Sequence, residues 1–180
     1  IMIKIGINGF GRIGRLVLRA VLENYNKKIE VVAINDLGSI EANAHLIKYD
    51  STHGILNHDI KTSKDGFIIN TQNIKVFAEK DPQNIPWKDV GVDIVLECTG
   101  IFLDKSSALK HIKAGAKKVI ISAPGKEVDF TIVQGVNSNE LKKDHNIISN
   151  GSCTTNCLAP VAMVLEKTFG INYGYMTTIH

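Results

Sequence analysis

The sequence predicts an α/β domain built on a mostly parallel β-sheet. Short apolar segments of strand character alternate along the chain with longer segments whose apolar residues recur every three or four positions. Several strand-like segments are apolar at nearly every position, which is typical of strands covered by helices on both faces of a sheet. This alternation predicts strand–helix–strand units whose strands lie parallel in one sheet.

The first half of the chain opens with a strand followed by a helix. Residues 4–8 are apolar at alternate positions, which predicts a strand, and residues 12–24 have helical spacing of their apolar side chains. Residues 30–34 are β-branched and almost continuously apolar, which predicts a buried strand. The next stretch is less regular, and its predicted elements are a short helix over 41–49 and strands over 67–69 and 74–78.

The second half repeats the alternation. Residues 93–97 and 118–122 have the pattern of buried strands, and the segment between them, 106–114, has helical spacing with Gly115 as its stop. The remaining predicted elements are strands over 130–133 and 147–149, and a last helix from Ser152 or Cys153 to Phe169 with Gly170 at its end.

Composition narrows the class of protein. Hydrophobic residues make up 44% of the 180 residues, which supports a packed core and argues against global disorder. The net charge is +3 and the lysines and arginines are dispersed, so we expect no nucleic acid partner. No apolar run reaches the length of a membrane span. Three cysteines and the lack of a secretory pattern predict free thiols in a cytoplasmic protein.

A glycine-rich loop follows the first predicted strand. Gly9, Gly11 and Gly14 form a G-x-G-x-x-G pattern that opens a predicted helix, and Asp36 ends the next strand. The glycines allow a tight turn, close approach of the backbone to a pyrophosphate, and close helix–strand packing, while the helix N-terminus favours an anion. The pattern predicts a dinucleotide site in a Rossmann-type, doubly wound sheet. The Asp36 carboxylate would accept from ribose hydroxyls and repel a ribose phosphate, which favours NAD over NADP; the alternative is a glycine-rich turn with a surface Asp.

A second segment, residues 149–157, joins a strand end to a helix start. Cys153 would lie in the first turn of that helix, where the helix dipole favours the thiolate form and therefore a nucleophile. Ser152 and Thr154 offer hydroxyls beside it for a phosphate or an oxyanion. Cys157, one turn further, is interpreted as a small packed residue.

The other candidate residues are less certain from spacing alone. Cys98 lies in a predicted strand and is interpreted as core. Cys153 and Cys157 have no nearby partner that completes a metal ligand set, so we predict no metal site. His180 ends a short strand-like segment and would act as a base for Cys153 if the two meet in space.

Both segments resemble signatures of the glyceraldehyde-3-phosphate dehydrogenases. Residues 8–15 are similar to the opening signature of that family, and residues 149–160 to its active-site signature, with Gly151 where the family usually has Ala. The resemblance covers the whole chain. Further matching segments occur in the family's order at 33–36, 49–54, 97–100 and 121–124.

The resemblance implies roles for individual residues. Arg12 and Ile13 would contact NAD through their backbone at the pyrophosphate, Asp36 would hold the adenosine ribose, and Lys80 would lie near the adenine. The full set of implied cofactor-binding residues is Asn8, Gly9, Phe10, Gly11, Arg12, Ile13, Asp36, Lys80, Thr99, Gly100 and Ser122.

The resemblance also implies catalytic roles and a domain organisation. Cys153 would be the nucleophile, His180 would raise its reactivity and handle the proton, and Ser152 and Thr154 would help Cys153 to hold substrate or inorganic phosphate. An NAD-binding domain would span residues 1–151, and an α+β catalytic domain would begin at 152–180. Members of the family are nearly twice as long and commonly form homotetramers.

The implied reaction is the NAD-dependent oxidative phosphorylation of D-glyceraldehyde 3-phosphate to 1,3-bisphosphoglycerate through a cysteine thioester. Three alternatives stay open from the residues. An erythrose-4-phosphate dehydrogenase would share both signatures. The chain could be a nucleotide-binding module without catalysis. A cysteine hydrolase built on Cys153 and His180 would leave the dinucleotide loop unexplained.

Overall fold

The computed structural model describes residues 2–180, which form eleven strands and four α-helices. The strands are β1 (Ile3–Asn8), β2 (Ile29–Asn35), β3 (Tyr49–Asp50), β4 (Gly54–Ile55), β5 (Ile60–Ser63), β6 (Gly66–Ile69), β7 (Gln72–Phe77), β8 (Ile94–Glu97), β9 (Lys118–Ile121), β10 (Phe130–Thr131) and β11 (Ile147–Ser149). The helices are α1 (Arg12–Ala20), α2 (Ile40–Lys48), α3 (Lys105–Lys113) and α4 (Cys153–Phe169). Shorter helical pieces are a π-helix at Val21–Tyr25 and 3₁₀ turns at Pro82–Asn84 and Ser138–Glu140.

Nine strands form one sheet in the order β10-β11-β9-β8-β1-β2-β7-β6-β5. Between β10 and β7 every pair of neighbouring strands is parallel, and β6 and β5 extend the sheet as an antiparallel hairpin with β5 at its edge. β3 and β4 pair separately. The predicted α/β class with a mostly parallel, doubly wound sheet is confirmed.

The order of the strands reverses at β1. From β1 the chain continues to β2 on one side and later reaches β8 on the other, so a crevice opens at the carboxyl end of β1. Three polar residues end the strands around this crevice, and all are almost completely buried: Asn8, Asn35 and Glu97. The fold therefore concentrates buried polar groups where an α/β sheet binds its ligands.

Apolar side chains fill both faces of the sheet. On one face Leu18 of α1 and Ile47 of α2, both fully buried, pack in a cluster with strand residues such as Ile34. A second cluster is built around Trp87. Gly6 of β1 makes room for it, because a Cβ at Gly6 would lie 2.6 Å from the indole ring.

The structure differs from the predicted elements in a few places. The predicted helix over 12–24 is α-helical only to Ala20 and then widens into the π-helix. β3, β4 and β5 were not predicted, because they are short and carry polar residues. The strand expected before His180 is wrong: residues 173–180 have no regular secondary structure, since no neighbouring strand hydrogen-bonds to them within the described residues.

Candidate functional site

The glycine-rich loop forms a tight backbone cradle between β1 and α1. Gly9 has φ +87°, and a Cβ there would lie 2.8 Å from the Thr99 amide nitrogen. A Cβ on Gly14 would lie 2.2 Å from the Gly9 carbonyl oxygen, so the helix approaches the loop as closely as it can. Gly11 is different, because nothing lies within 4 Å of its Cβ position and no side chain caps the helix at this residue. The first amides of α1 therefore face open space that suits an anion.

A cavity of about 570 Å³ opens beside this cradle at the carboxyl ends of β1, β2 and β8. Six of the residues predicted to bind the cofactor line it: Asn8, Gly9, Gly11, Asp36, Lys80 and Thr99. Further wall residues that the sequence analysis did not single out include Asn35, Leu37, Glu79 and Phe102. The volume and the mixture of apolar walls and polar strand ends are typical of a small-molecule or cofactor site.

The remaining predicted cofactor residues lie outside the walls of this cavity. The Phe10 side chain is buried and packs on Phe67, with ring centroids 6.0 Å apart. Ile13 is 49% exposed. Gly100 is exposed with φ +73°, and Ser122 follows β9, where its backbone N–H donates to the Glu97 carbonyl at 3.0 Å. The structure thus places six of the eleven predicted cofactor-binding residues around one cavity.

Arg12 begins α1 with its side chain directed to Asp50, next to the short strand pair. Asp50 has a pKa well below its usual range, because the His53 backbone N–H and the Arg12 guanidinium both donate to its carboxylate. The Arg12 side chain is therefore bound to Asp50. Its backbone amide, at the start of α1, is the group that remains available to a ligand at the glycine-rich loop.

Asp36 has a fixed position at the end of β2. Its Oδ2 accepts from the Phe10 backbone N–H at 2.8 Å, and its Oδ1 accepts from the Gly38 N–H at 2.8 Å and the Asn43 Nδ2 at 3.3 Å. A carboxylate has about four acceptor positions, so these three bonds leave capacity for a ligand hydroxyl. The half-buried carboxylate also gives this end of the cavity a negative charge.

Sequence reasoning missed a group of buried polar residues behind the cavity. Glu97, at the end of β8, accepts hydrogen bonds from Asn8 at 2.6 Å, from His111 at 2.9 Å and from the Thr99 backbone N–H at 2.8 Å. His111 also accepts from the Trp87 Nε1–H at 3.0 Å. The signal in the sequence was a charged residue at the end of an otherwise apolar strand.

The cysteine segment is held by side chains on both sides of a sharp turn. Gly151 has φ +69°, and its amide donates to the fully buried Ser149 Oγ at 3.0 Å. Ser152 is the N-cap of α4, and its Oγ accepts from the Thr155 N–H at 2.9 Å. Asn156 donates to the Asn150 and Ser152 carbonyls at 2.7 and 2.9 Å. Cys153 therefore occupies the first turn of α4, as predicted.

Cys153 and His180 line one open cavity of about 390 Å³ at the start of α4. Both side chains are exposed, and the His180 Nε2 lies 3.2 Å from the Thr178 Oγ1. Ser152 and Thr154 line a neighbouring cavity of about 470 Å³. The region combines a thiol at a helix N-terminus, an imidazole and two hydroxyls, which are groups that can form a covalent adduct on sulfur and bind an anion.

The other two cysteines differ from each other. Cys157 was expected to be packed, and this is wrong: it is exposed, because α4 has no buried residue and so offers no packed interior at that position. Cys98 lies just after β8, is half-buried and packs against the main core, while it also borders the 570 Å³ cavity. Burial raises the pKa of its thiol to about 11, which keeps it protonated.

A metal centre or a membrane-spanning helix would each have a recognisable signature within residues 2–180. Within that range no His, Cys, Asp and Glu side chains gather in threes as a metal site would require. The described helices likewise include none with both the length and the hydropathy needed to cross a membrane.

Comparison with known proteins gives matches over nearly the whole chain. Residues 3–105 match the family model for the glyceraldehyde 3-phosphate dehydrogenase NAD binding domain, and residues 152–180 match the model for the C-terminal domain of the same family.

Individual proteins that the chain resembles are named glyceraldehyde-3-phosphate dehydrogenase. The chain is 53% identical over 178 residues to a glyceraldehyde-3-phosphate dehydrogenase of Xanthobacter flavus, a stretch that makes up 99% of this chain and 53% of that protein. The corresponding protein of Geobacillus stearothermophilus is 55% identical over 179 residues, again 99% of this chain and 53% of the relative. That of Thermotoga maritima is 52% identical over 179 residues, covering 99% and 54%. The chain thus spans about half the length of these relatives.

Proposed function

Because the chain belongs to the glyceraldehyde 3-phosphate dehydrogenase family, we propose that the protein that carries it oxidises D-glyceraldehyde 3-phosphate to 1,3-bisphosphoglycerate with NAD and inorganic phosphate. The observation that carries the proposal is the shared cavity of Cys153 and His180 at the start of α4. A thiol and an imidazole in one cavity supply the nucleophile and the base that covalent aldehyde chemistry needs.

The residues of the 570 Å³ cavity fit a dinucleotide. The Gly11 amide and the uncapped start of α1 would hold the pyrophosphate, since the space at Gly11 is open and the helix end is positive. Asp36 would accept from the adenosine ribose with its remaining lone pair, and Lys80 would lie toward the adenine. The negative charge of Asp36 favours NAD over a 2′-phosphorylated cofactor. NAD, when bound, supplies the hydride acceptor of the oxidation.

The residues around Cys153 carry the covalent steps. The thiolate sulfur bonds to the aldehyde carbon, and His180 handles the proton of the resulting hemithioacetal hydroxyl. Loss of a hydride from that carbon leaves a thioester on Cys153. A phosphate oxygen then bonds to the acyl carbon, the carbon–sulfur bond breaks, and the acyl phosphate leaves with the thiolate restored. Ser152 and Thr154 would hold the phosphate groups with their hydroxyls.

The same family membership supports a proposal on organisation. An NAD-binding domain would span residues 1–151 and a catalytic domain would begin at 152–180; the match of the C-terminal family model from residue 152 supports this boundary. We further infer that the protein works in the cytoplasm as a homotetramer, with a phosphorylated aldehyde and inorganic phosphate as its small-molecule partners.

The test is a rate measurement on the protein that carries this chain. NADH formation is followed with D-glyceraldehyde 3-phosphate or erythrose 4-phosphate, each with and without phosphate, in the wild type, Cys153→Ser and Cys157→Ser. We expect phosphate-dependent NADH formation with the three-carbon aldehyde that is lost in Cys153→Ser and kept in Cys157→Ser, the matched control one helical turn away. A preference for erythrose 4-phosphate, or full activity in Cys153→Ser, would contradict the proposal.

A further inference from the structure

Behind the dinucleotide cavity lies a connected set of buried side chains that the proposed chemistry does not use. Its centre is Glu97, which is 1% exposed at the end of β8. Its Oε2 accepts from the Asn8 Nδ2 at 2.6 Å and the His111 Nε2 at 2.9 Å. Its Oε1 accepts from the Thr99 backbone N–H at 2.8 Å and from the Thr99 hydroxyl. We name these five residues, with Trp87 included, the Glu97 network.

The donor and acceptor roles in the Glu97 network are fixed by Trp87. An indole N–H can only donate, so the His111 Nδ1 at 3.0 Å must accept. The proton of the neutral imidazole is then on Nε2, where it donates to Glu97. All four contacts to the carboxylate are therefore donors, and a buried anion is held by hydrogen bonds alone. His111 and Trp87 are fully buried, so water cannot replace these bonds.

The network continues into the walls of the cavity. The Asn8 Oδ1 accepts from the Asn35 Nδ2 at 2.8 Å, and the Asn35 Oδ1 accepts from the Glu79 N–H at 2.8 Å. Asn8, Asn35, Glu79 and Thr99 line the cavity, whereas Glu97 does not. One continuous series of hydrogen bonds thus crosses the carboxyl ends of β8, β1 and β2 and ends in the segment after β7.

Thr99 links the network to the glycine-rich loop. Its hydroxyl donates to Glu97 and accepts from the Ile101 N–H at 3.1 Å, which fixes the turn after β8. The same turn lies against the loop, because a Cβ on Gly9 would be 2.8 Å from the Thr99 nitrogen. A displaced Thr99 would therefore shift the loop that receives the pyrophosphate.

We propose that Glu97 is a positioning residue for the dinucleotide site: it holds Asn8 and Thr99 in place as walls of the cavity, and His111 and Trp87 orient its carboxylate from behind. The inference rests on the proposed function, in that the cavity is taken to be the NAD site. The network reaches the residues of the cavity but not Cys153, so its loss weakens NAD binding and leaves the thiol chemistry in place.

Glu97→Gln is the direct test. A glutamine has the same shape as Glu97, but an NH₂ group replaces one of the two carboxylate oxygens, each of which accepts two hydrogen bonds. Either Asn8 and His111 or the two donors of Thr99 then meet another donor instead of an acceptor. Displacing Asn8 or Thr99 removes a contact between the cavity wall and NAD, and the loss of one hydrogen bond there predicts NAD binding weaker by about tenfold. Asp93→Asn is the matched control, because Asp93 lies at the opposite end of β8, bonded to Lys4 and Lys117, and its loss removes the same charge.

A second pair of variants keeps the test decisive if Glu97→Gln fails to fold. His111→Gln retains an N–H for Glu97 and a carbonyl for the Trp87 N–H, whereas His111→Leu retains neither. We expect His111→Gln to rescue most of the NAD affinity that His111→Leu loses.

The experiment is isothermal titration of NAD into the protein that carries this chain, together with the alkylation rate of Cys153 by iodoacetamide. The expected result is a raised Kd for NAD in Glu97→Gln and His111→Leu, an unchanged Kd in Asp93→Asn, and wild-type alkylation throughout. Wild-type Kd values in correctly folded Glu97→Gln and His111→Leu would overturn the inference. Absence of NAD binding in the wild type would instead overturn the proposed function.

Discussion

Replacing Gly11 by alanine separates the ligand role of the glycine-rich loop from its structural role. Gly11 has φ −69° and ψ −160°, which alanine adopts without strain, and nothing lies within 4 Å of the position of its Cβ. The substitution therefore costs no packing, and by restricting the unfolded chain it adds about 0.4–1 kcal/mol to the free energy of unfolding. At about 2–4 °C per kcal/mol for a chain of this size, Tm should stay equal or rise by a few degrees.

The same methyl group occupies the space that the pyrophosphate needs. Pushed away from the amides at the start of α1, the anion loses at least one hydrogen bond to a charged group, worth about 1.5–3 kcal/mol. We therefore predict that the Kd for NAD rises about tenfold to a hundredfold in Gly11→Ala.

Calorimetric titration with NAD and a thermal melt measure the two effects on the same sample. Gly174→Ala is the control, because its Cβ position is also open and Gly174 lines a different cavity, formed by α4 and the segment after it; it should change neither quantity. Tight NAD binding by Gly11→Ala would refute the assignment of the pyrophosphate to this loop. A large fall in Tm would refute the claim that Gly11 is open in the free protein.

Three further predictions address the other parts of the site. Asp36→Asn removes the negative charge; its carbonyl oxygen can still accept from the Phe10 N–H, while its NH₂ group no longer accepts from Gly38 and Asn43. The ratio of the Kd for NADP to that for NAD should therefore fall by about tenfold or more in a titration of both cofactors. Ser149→Ala leaves two amides without their acceptor and should lower the free energy of unfolding by about 1–3 kcal/mol, with slower alkylation of Cys153 but unchanged NAD affinity. For Asp129, burial alone would raise the pKa, but hydrogen bonds from Lys105 and two backbone amides outweigh it and lower the pKa to about 2. The ionised Asp129 carboxylate stabilises the fold at pH values above 3.8, the ordinary pKa of the group, and this stabilisation is lost as the pH falls toward 2. Asp129→Asn should therefore make Tm fall less steeply between pH 3.8 and pH 2.

The sequence predicted the central strands and helices because their patterns are governed by burial. β2 and β8 are buried against helices and leave near-continuous apolar runs, and β1 is apolar at alternate positions, so all three can be recognised locally. β5 was missed for the converse reason: Ile60–Ser63 is an edge strand with exposed polar residues, held by its hairpin partner. The π-helix after α1 leaves no trace in the apolar spacing, which continues through it.

For the residues of the site, too, prediction depended on whether their relation is local in the sequence. The position of Gly9, Gly11 and Asp36 around one cavity was predictable because it follows from a fixed spacing around one strand–helix turn. The bonds of Glu97 to Asn8 and His111 join residues 89 and 14 positions apart, and a pattern of neighbours along the chain carries no information about such contacts. Cys157 was wrongly predicted to be packed, because its burial depends on what packs against α4, and the helical pattern carries no information about that.

If Cys153 carries the acyl group between oxidation and phosphate transfer, a single turnover without phosphate should leave that group on its sulfur. The protein that carries this chain is mixed with NAD and D-glyceraldehyde 3-phosphate, NADH is followed by absorbance, and peptides are then analysed by mass spectrometry. We expect a burst of about one NADH per active site, a thioester adduct on the peptide of Cys153, and steady turnover only after phosphate is added. The burst should be absent in Cys153→Ser and retained in Cys157→Ser. An adduct on Cys157, or rapid turnover without phosphate, would show that Cys153 does not carry the acyl group.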